Sequence, residues 1–486
     1  MTDDPPLQMA VQTVLGSSPC SVTLPAGAGK TELIAASVAA VAENGGTSLV
    51  LTHTHAGVDA LRRRMNKFGV GREQVVVRTI DSWSYDLIAH FPKLAQLAVP
   101  AVPDWSKVGD YHRAAACAAG SKAVRRMLKV SYSNLFIDEY QDCLTNQHEL
   151  AVALSQVLPT TVLGDPLQSL FHFGKNQPVD WGTDVLSNFP AVTVAHRPRR
   201  WDPHHAPLGA WLVNIRDNLT QGQPIDLTSA PVTWVQRRDS RTFVGRCYEA
   251  LKLEGTIAVL GQFRPDCVKA AASLGGSYSV MEAVDEKVPL LLAEKIDTRE
   301  GIEVAQAVLE FAITCSSGIP KHIPAAKRRQ LGEGKPFTTR NENLKPVYEA
   351  ILQVQSAPIA GTVRTALDLL GKLPNVTIHC REAWSEITRS VAMAMSDDCT
   401  VTEALQHIRN QTRTVGRRSS SRVVSRPLLV KGLEYDHVII VNPAKYSAQE
   451  LYVALTRGSK SVTVISETVV LPAARMATGS AAPSVF

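Results

Sequence analysis

A short apolar stretch that ends in two adjacent carboxylates constrains this chain more than any other feature. Residues 135–137 (Leu-Phe-Ile) are followed directly by Asp138 and Glu139. An apolar run of this kind is consistent with a buried strand of a parallel sheet. Open α/β sheets bind their ligands beyond the carboxyl ends of the strands, which is where these two acids would lie. One acid could hold Mg²⁺ and the other could activate water, although such a pair taken alone is usually a solvated turn.

A strand, loop and helix pattern near the start of the chain predicts a phosphate-binding loop. Residues 21–43 combine a short apolar run, the loop Pro-Ala-Gly-Ala-Gly-Lys-Thr and an alanine-rich helical stretch. Small loop residues let backbone N–H groups close around phosphate oxygens, and a helix N-terminus favours negative charge. Lys30 would reach the β and γ phosphates, and the Thr31 hydroxyl would ligate Mg²⁺. The alternative is a glycine-rich turn with an incidental lysine, and Leu24 stands where such loops usually have a small residue.

Polar or aromatic segments also follow three further apolar runs that we predict to be strands. These segments are residues 52–56, 79–83 and 164–173. Gln168 lies just beyond a predicted strand end, where an amide can sense a γ-phosphate. Phe171 and Phe173 have the period-two spacing that is more often found in a core, but beside a nucleotide site they could stack on bases.

Bulk composition limits the class of protein without naming it. At 486 residues, the chain is long enough for about two to four domains. The apolar fraction of 45% and the charged fraction of 20% are those of an ordinary globular protein, and the net charge of +6 is mild evidence for a polyanionic partner. Eight cysteines without a Cys-x-x-Cys pair favour a reducing cytoplasm. The acidic N-terminus does not resemble a signal peptide, and no apolar run approaches the roughly 20 residues that span a bilayer.

Seven motifs, which follow one another along the chain in the family's order, resemble those of the UvrD/Rep/PcrA type of superfamily 1 helicases. Residues 27–31 are similar to the family's phosphate loop, and residues 138–142 match its Asp-Glu-x-Gln-Asp box at every position. The other similar segments are 52–56 (the Thr-x-Thr-Asn-x-Ala segment), 164–171 (Gly-Asp-x-x-Gln-Ser-Ile-Tyr), 196–197 (the Tyr-Arg pair), 431–435 (Lys-Gly-Leu-Glu-Phe) and 452–457 (Tyr-Val-Ala-x-Thr-Arg). Among the departures from the pattern, His55 replaces the usual asparagine and His196 replaces the aromatic residue that stacks on adenine.

The resemblance implies an α/β fold with two RecA-like P-loop NTPase lobes, each built on a parallel sheet and each carrying a mostly helical insertion. We expect an N-terminal ATP-binding lobe at 1–190, with a small helical insertion at about 84–132. The C-terminal lobe would comprise 191–290 and 420–486, and the inserted helical accessory subdomain would comprise about 290–420. Both insertions are compact for the family, in which they help to open the duplex, so processive unwinding is less strongly implied than translocation.

The resemblance also assigns roles to single residues, with ATP and Mg²⁺ as cofactors. The predicted ATP-binding residues are Gln8 (with Gln12 as the runner-up for reading adenine), Gly27, Ala28, Gly29, Lys30, Thr31 and Glu434. The predicted metal ligands are Thr31 and Asp138. The predicted catalytic residues are Glu139 as general base, Gln168 as the link from the γ-phosphate to DNA, and Arg197 and Arg457 as arginine fingers. The predicted DNA-binding residues are His53, Thr54, Ser82, Phe171 and Phe173.

The function implied is an ATP-dependent DNA helicase or translocase that moves 3′ to 5′ on single-stranded DNA, with single strands and duplex junctions as partners. The alternative is a DNA-dependent ATPase subunit that controls an associated nuclease, as in DNA repair or antiphage defence, with little unwinding of its own. A metabolic P-loop kinase is a third hypothesis, but it gives no role to the motifs in the second half of the chain.

Overall fold

The computed structural model describes residues 4–100, 103–170, 178–281, 287–397, 399–415 and 420–476. The chain forms two compact units. The first comprises Met1–Val232, Ala444–Ser461 and Thr468–Phe486, and the second comprises Thr233–Pro443 and Val462–Glu467. Phe171 and Phe173, which we predict to stack on DNA bases, lie outside the described residues. The lobe boundaries expected from the motif resemblance stay a prediction.

The sheet of the first unit has five strands in the described part of the chain, and every pair is parallel. The strands are β1 (Cys20–Thr23), β2 (Ser48–Thr52), β3 (Val75–Thr79), β4 (Asn134–Ile137) and β5 (Thr160–Gly164). Their order across the sheet is β1-β5-β4-β2-β3. Strand β4 is central, which explains why its residues 135–137 are continuously apolar and at most 1% exposed.

Helices precede, connect and follow these strands, and they cover both faces of the sheet. They are α1 (Pro5–Gly16), α2 (Lys30–Glu43), α3 (His55–Lys67), α4 (Ile80–His90), α5 (Pro92–Ala95), α6 (Val108–Gly120), α7 (Lys122–Ser131), α8 (Thr145–Ser155), α9 (Leu186–Asn188) and α10 (Ala206–Thr220). Side chains alternate across β4 because a strand has a period of two. Phe136 packs with residues of α1, α2 and α3, whereas Leu135 and Ile137 pack with residues of α4, α6 and α8. Helices α4 to α7 form the helical segment between β3 and β4.

The remaining strands form a second large sheet and two small ones. They are β6 (Ile225–Asp226), β7 (Thr233–Gln236), β8 (Ile257–Leu260), β9 (Ser279–Val280), β10 (Ser316–Ser317), β11 (Thr377–Ile378), β12 (Arg422–Ser425), β13 (Tyr435–Val441), β14 (Gly458–Ser466) and β15 (Val470–Leu471). Among the described residues, the second sheet has six strands in the order β7-β14-β13-β8-β12-β9. Its pairs β7–β14, β13–β8, β8–β12 and β12–β9 are parallel. The pairs β10–β11 and β6–β15 are antiparallel.

The helices of the later part of the chain lie between and around these strands. They are α11 (Ser240–Ala250), α12 (Arg264–Ser273), α13 (Lys287–Thr298), α14 (Gly301–Cys315), α15 (Ile319–His322), α16 (Ala325–Gly332), α17 (Lys345–Ser356), α18 (Ala360–Gly371), α19 (Arg381–Ser396), α20 (Val401–Val415), α21 (Pro427–Val430) and α22 (Ala448–Leu455). Helices α13 to α20 lie between β9 and β12 and share a core with residues of the second sheet. The predicted fold class, an α/β protein with two parallel sheets and mostly helical insertions, is confirmed. Within the ranges described above, no helix has the length and apolar character that a membrane span requires.

Candidate nucleotide-binding site

The segments predicted to bind nucleotide in the first unit follow the carboxyl ends of its strands. Because β1 to β5 are all parallel, these ends meet at one edge of the sheet. Backbone hydrogen bonds join neighbouring segments at that edge. The N–H of Leu24 donates to the carbonyl of Gly164 at 3.1 Å, and the N–H of Asp138 donates to the carbonyl of Leu51 at 2.9 Å. The fold thus brings the phosphate loop, the acidic segment and the segment of Gln168 to the same edge.

The phosphate loop depends on two glycines in the left-handed region of backbone conformation. Gly27 has φ of 67° and Gly29 has φ of 93°, values that residues with a Cβ rarely adopt. Space is also limiting at the first of them, because a Cβ on Gly27 would lie 2.7 Å from the ring of Trp201. As at any helix N-terminus, the first N–H groups of α2 have no partner within the helix itself, and this is the geometry that holds phosphate.

Three further predicted ATP-binding residues lie in or beside this loop. Ala28 is buried in the loop, and Lys30 begins α2 with its Nζ atom 2.9 Å from the carbonyl oxygen of Leu24, to which it donates. Thr31 follows in the first turn of the helix and is half-buried. Gln8 is half-buried in α1, which packs with α2 in the same core. The predicted ribose contact, Glu434, is exposed just before β13 in the second unit, and its role stays a prediction.

The two adjacent acids have different environments. Asp138 is 6% exposed, and its Oδ1 atom accepts the N–H of Glu139 at 2.9 Å. Burial, and then the charge of Glu139, raise the pKa of Asp138 to about 7, while Lys30 opposes that shift. Glu139 is half-buried and has φ of 54°, which is uncommon for a residue other than glycine. A buried carboxylate that is costly to ionise is stabilised by a cation, so Asp138 fits the predicted Mg²⁺ role together with Thr31.

Gln141 joins Glu139 to the segment that follows β5. Its Nε2 group donates to the carboxylate of Glu139, and its Oε1 atom accepts the N–H of Asp165 at 2.9 Å. Its backbone carbonyl also accepts the hydroxyl of Ser169 at 3.0 Å. Gln141 is 2% exposed, so these contacts hold its amide in one orientation. Glu139 is therefore oriented by a buried side chain that also contacts the neighbouring strand end.

Gln168 and Arg457, both predicted to be catalytic, are in contact although they are distant in sequence. The Nη2 group of Arg457 donates to Oε1 of Gln168 at 3.3 Å. The Nε2 group of Gln168 donates to Oδ2 of Asp165 at 2.8 Å. Arg457 is 1% exposed and its Nε group donates to the carbonyl of Val453 in α22 at 3.0 Å. These contacts fix the amide of Gln168 from both sides.

Arg197, the other predicted arginine finger, has a different environment. Its side chain is 67% exposed and its Nε group lies 3.6 Å from the Oδ2 atom of Asp202. Arg199 lies closer to the phosphate loop, since its Cδ atom is 3.6 Å from the position that a Cβ on Gly29 would take. The guanidinium of Arg199 forms an ion pair with Asp4, whose carboxylate caps α1.

Arg200 and Trp201 cover the phosphate loop, and sequence reasoning missed both. The N–H of Arg200 donates to the carbonyl of Gly27 at 3.3 Å, and its Nη1 group donates to the carbonyl of Thr456 at 2.7 Å. Trp201 is 1% exposed and donates from Nε1 to the carbonyl of Gly458 at 2.7 Å. The available signal was a pair of arginines followed by tryptophan, two to four residues after the predicted finger.

The described residues predicted to bind DNA follow the adjacent strands β2 and β3. His53 is half-buried, and its Nε2 atom lies 3.5 Å from the Sγ atom of Cys143. Thr54 is exposed and caps α3 with its hydroxyl oxygen. Ser82 is half-buried, and its Oγ atom accepts the hydroxyl of Thr79 at 2.8 Å. The structure therefore brings these three residues to the same edge as the phosphate loop, and their role in DNA binding stays a prediction.

The parallel sheet, the glycine-containing loop and the acids at this edge are features of P-loop nucleotide-binding domains. Residues 8–174 match the family model described as an AAA domain, a span that includes the phosphate loop, Asp138 and Gln168. A comparison with curated proteins found no match to this chain. One similar solved structure is that of arterivirus nonstructural protein 10, a helicase in complex with DNA, with 10% identity and a TM-score of 0.35. The similarity covers 94% of this chain and 63% of the viral chain, so this chain spans less than two thirds of the length of the viral protein.

Replacing Asp138 by Asn should stabilise the metal-free protein at about pH 8 by roughly 1–3 kcal/mol. The pKa of Asp138 is raised to about 7 in the folded state. A raised folded pKa means that the stability this carboxyl contributes is complete below its unfolded pKa and is lost as the pH rises through the folded value. The gain from the substitution should therefore be small near pH 4 and largest above about pH 7. Denaturant unfolding of both proteins at about pH 4 and about pH 8 measures this difference in the free energy of unfolding.

Asp59→Asn, at an exposed carboxylate of α3, is the control and should show no such pH-dependent gain. A gain from Asp138→Asn that is equal at both pH values would contradict the assigned burial cost.

Proposed function

We propose that the protein is an ATP-dependent DNA translocase or helicase of the UvrD-like type, which couples ATP hydrolysis to 3′–5′ movement on single-stranded DNA. One observation carries the ATPase part of this proposal. Glu139 and Gln168 are joined through Gln141 and Asp165 at the sheet edge that also carries the phosphate loop. The dependence on DNA and the direction of movement are supported by the motif resemblance alone.

In this proposal the phosphate loop and the start of α2 bind the ATP phosphates. Lys30 contacts the β and γ phosphates, and Gln8 contacts adenine. Thr31 and Asp138 would hold Mg²⁺, which would supply positive charge against the phosphate oxygens when bound. The cost of ionising a buried Asp138 supports this assignment, because the cation offsets it.

Glu139 is the proposed general base, which takes a proton from the attacking water. Its carboxylate is half-buried and receives a hydrogen bond from Gln141, so its direction is defined before substrate binds. Phosphoryl transfer depends mainly on positioning and on charge neutralisation. Gln168 senses the γ-phosphate, and Arg457, which contacts it, neutralises charge in the transition state. Arg197 is the second proposed finger.

Single-stranded DNA is the proposed polymer, bound by the residues that follow β2 and β3 together with two phenylalanines outside the described residues. The proposed contacts are His53, Thr54, Ser82, Phe171 and Phe173. Stacking of bases on aromatic side chains contributes about 1–3 kcal/mol per base without sequence preference. The net charge of +6 supports binding to a polyanion.

A second candidate function is an ATPase subunit that controls an associated nuclease and unwinds little DNA itself. The observation that favours it is the small helical segment between β3 and β4, whose longest helix, α6, has 13 residues. A compact segment of this kind offers little surface for binding duplex DNA.

The decisive experiment measures ATP hydrolysis with single-stranded DNA, duplex DNA and single-stranded RNA side by side. We expect stimulation by single-stranded DNA, weakening as salt rises because phosphate contacts release counterions. Duplexes with a 3′ single-stranded tail should be unwound and those with a 5′ tail should not. Hydrolysis without unwinding of either substrate would favour the nuclease-controlling subunit, and absence of hydrolysis under all conditions would contradict both candidates.

Replacing Glu139 by Gln should lower kcat for ATP by at least about 100-fold, because the general base is lost. Nucleotide affinity should be unchanged, since the amide keeps the size of the side chain and can still accept the hydrogen bond from Gln141. Steady-state hydrolysis and binding of a fluorescent, non-hydrolysable ATP analogue measure the two effects.

The control is Glu149→Gln, an exposed position on α8 of the same unit, which should hydrolyse ATP at the wild-type rate. Hydrolysis by Glu139→Gln within a fewfold of wild type would remove Glu139 from its assigned role.

Arg197 and Arg199 should differ in which kinetic parameter they control. As a finger, Arg197 acts on the transition state, so Arg197→Ala should lower kcat by about 10³-fold. Arg199 instead holds Asp4 at the start of the helix that carries Gln8, so Arg199→Ala should raise KM for ATP severalfold with little change in kcat. Full kinetic curves for both variants measure this, and the opposite pattern would transfer the finger role to Arg199.

A further inference from the structure

One buried carboxylate in the site has no role assigned to it from the motifs. Asp165, in the loop after β5, is 0% exposed. Arg216 of α10 donates to both of its oxygens, from Nη1 to Oδ2 and from Nη2 to Oδ1, each at 2.8 Å. Two parallel hydrogen bonds of this type fix the geometry of both partners. Because a buried charge without a partner is strongly destabilising, Asp165 and Arg216 must stay together.

Arg216 also connects this pair to the phosphate loop. Its Nη1 group donates to the hydroxyl of Tyr452 in α22 at 2.7 Å, and its guanidinium carbon lies 4.9 Å from the centre of the tyrosine ring. The same hydroxyl accepts the N–H of Ala26, in the phosphate loop, at 3.2 Å. Burial, with a further contribution from the charge of Asp165, raises the pKa of Tyr452 to about 12, so the hydroxyl stays neutral at physiological pH.

At its other end, the same pair is connected by hydrogen bonds to two of the residues to which we assign hydrolysis. Oδ2 of Asp165 accepts a hydrogen bond from Nε2 of Gln168, and the backbone N–H of Asp165 donates to Oε1 of Gln141. Gln141 in turn donates to the carboxylate of Glu139. An unbroken series of hydrogen bonds therefore runs from a backbone amide of the phosphate loop to the proposed γ-phosphate sensor and the proposed base.

We propose that Arg216 and Tyr452 are positioning residues that transmit the state of the phosphate loop to Gln168 and Glu139. This inference rests on the proposed ATPase function, because it takes those two residues to act in hydrolysis. Phosphate oxygens that bind loop amides compete with the Tyr452 hydroxyl for the N–H of Ala26. A shift of that hydroxyl moves Arg216, and Asp165 follows because it is held by two hydrogen bonds. The contacts from Asp165 then reorient Gln168, so the series acts on turnover rather than on nucleotide affinity.

Tyr452→Phe is the sharpest test, because it removes the hydroxyl and keeps the ring in place. We expect kcat for ATP to fall about tenfold while KM stays within about twofold, as expected for loss of one hydrogen bond to a charged group. The matched control is Tyr111→Phe. Tyr111, in α6, is 2% exposed and its hydroxyl likewise accepts a backbone N–H, that of Asp104, at 3.1 Å. The control should keep the wild-type kcat, although it loses a comparable structural hydrogen bond.

Arg216→Lys provides the second variant, since lysine keeps the charge but cannot make the paired hydrogen bonds. It should also lower kcat, and the double variant with Tyr452→Phe should be no slower than the slower single variant, because both interrupt one series. If the two substitutions together lower kcat by the product of their separate effects, the inference is overturned. If Arg216→Lys does not fold, Tyr452→Phe combined with Gln168→Ala gives the same comparison, with the same expectation and the same overturning result.

Failure of this inference and failure of the proposed function have different outcomes. Wild-type protein that hydrolyses no ATP with any of the three nucleic acids would overturn the proposed function. Wild-type protein that hydrolyses ATP, together with Tyr452→Phe and Tyr111→Phe variants of equal kcat, would overturn the positioning role alone.

Discussion

Parallel pairing of the five strands of the first unit is the constraint on which the candidate site depends. Strand β4 pairs with β2 on one side and β5 on the other, so Asp138 and Gln168 emerge at the same edge as the loop after β1. A shift of one residue in any of these registers would turn the alternating side chains to the opposite face and withdraw the following residue from the edge. The apolar residues of β4, which belong to the cores on both faces of the sheet, oppose such a shift.

Two buried carboxylates at this edge have different electrostatic environments, and this difference suits them to different roles. Asp165 is paired with a positively charged side chain of the protein, because Arg216 donates to both of its oxygens. Although burial opposes it, the hydrogen bonds with Asp165 raise the pKa of Arg216, so the pair stays ionised. Asp138 lies beside another acid, and burial raises its pKa. One carboxylate is therefore suited to holding protein groups in place, and the other is suited to binding a cation.

Sequence patterns predicted the elements of this site better than the contacts between them. The apolar runs predicted β1 to β5, and the loop composition predicted the tight loop between β1 and α2, because these features depend on residues close together in the chain. The contact of Arg457 with Gln168 and the pairing of Arg216 with Asp165 join residues far apart in sequence. No local pattern distinguishes an arginine that will be buried beside a carboxylate from one on a solvated helix face.

The sequence by itself determined the α/β class, the phosphate loop and the two acids at a strand end, since each follows from hydrophobic pattern and backbone preference. Only the tertiary structure decided which polar groups meet. It put Arg199, Arg200 and Trp201 beside the phosphate loop and left Arg197 exposed. It also connected Ala26 to Asp165 through Tyr452 and Arg216. The reason is physical: burial imposes the need for partners, and which partners are within reach depends on how helices from distant parts of the chain pack.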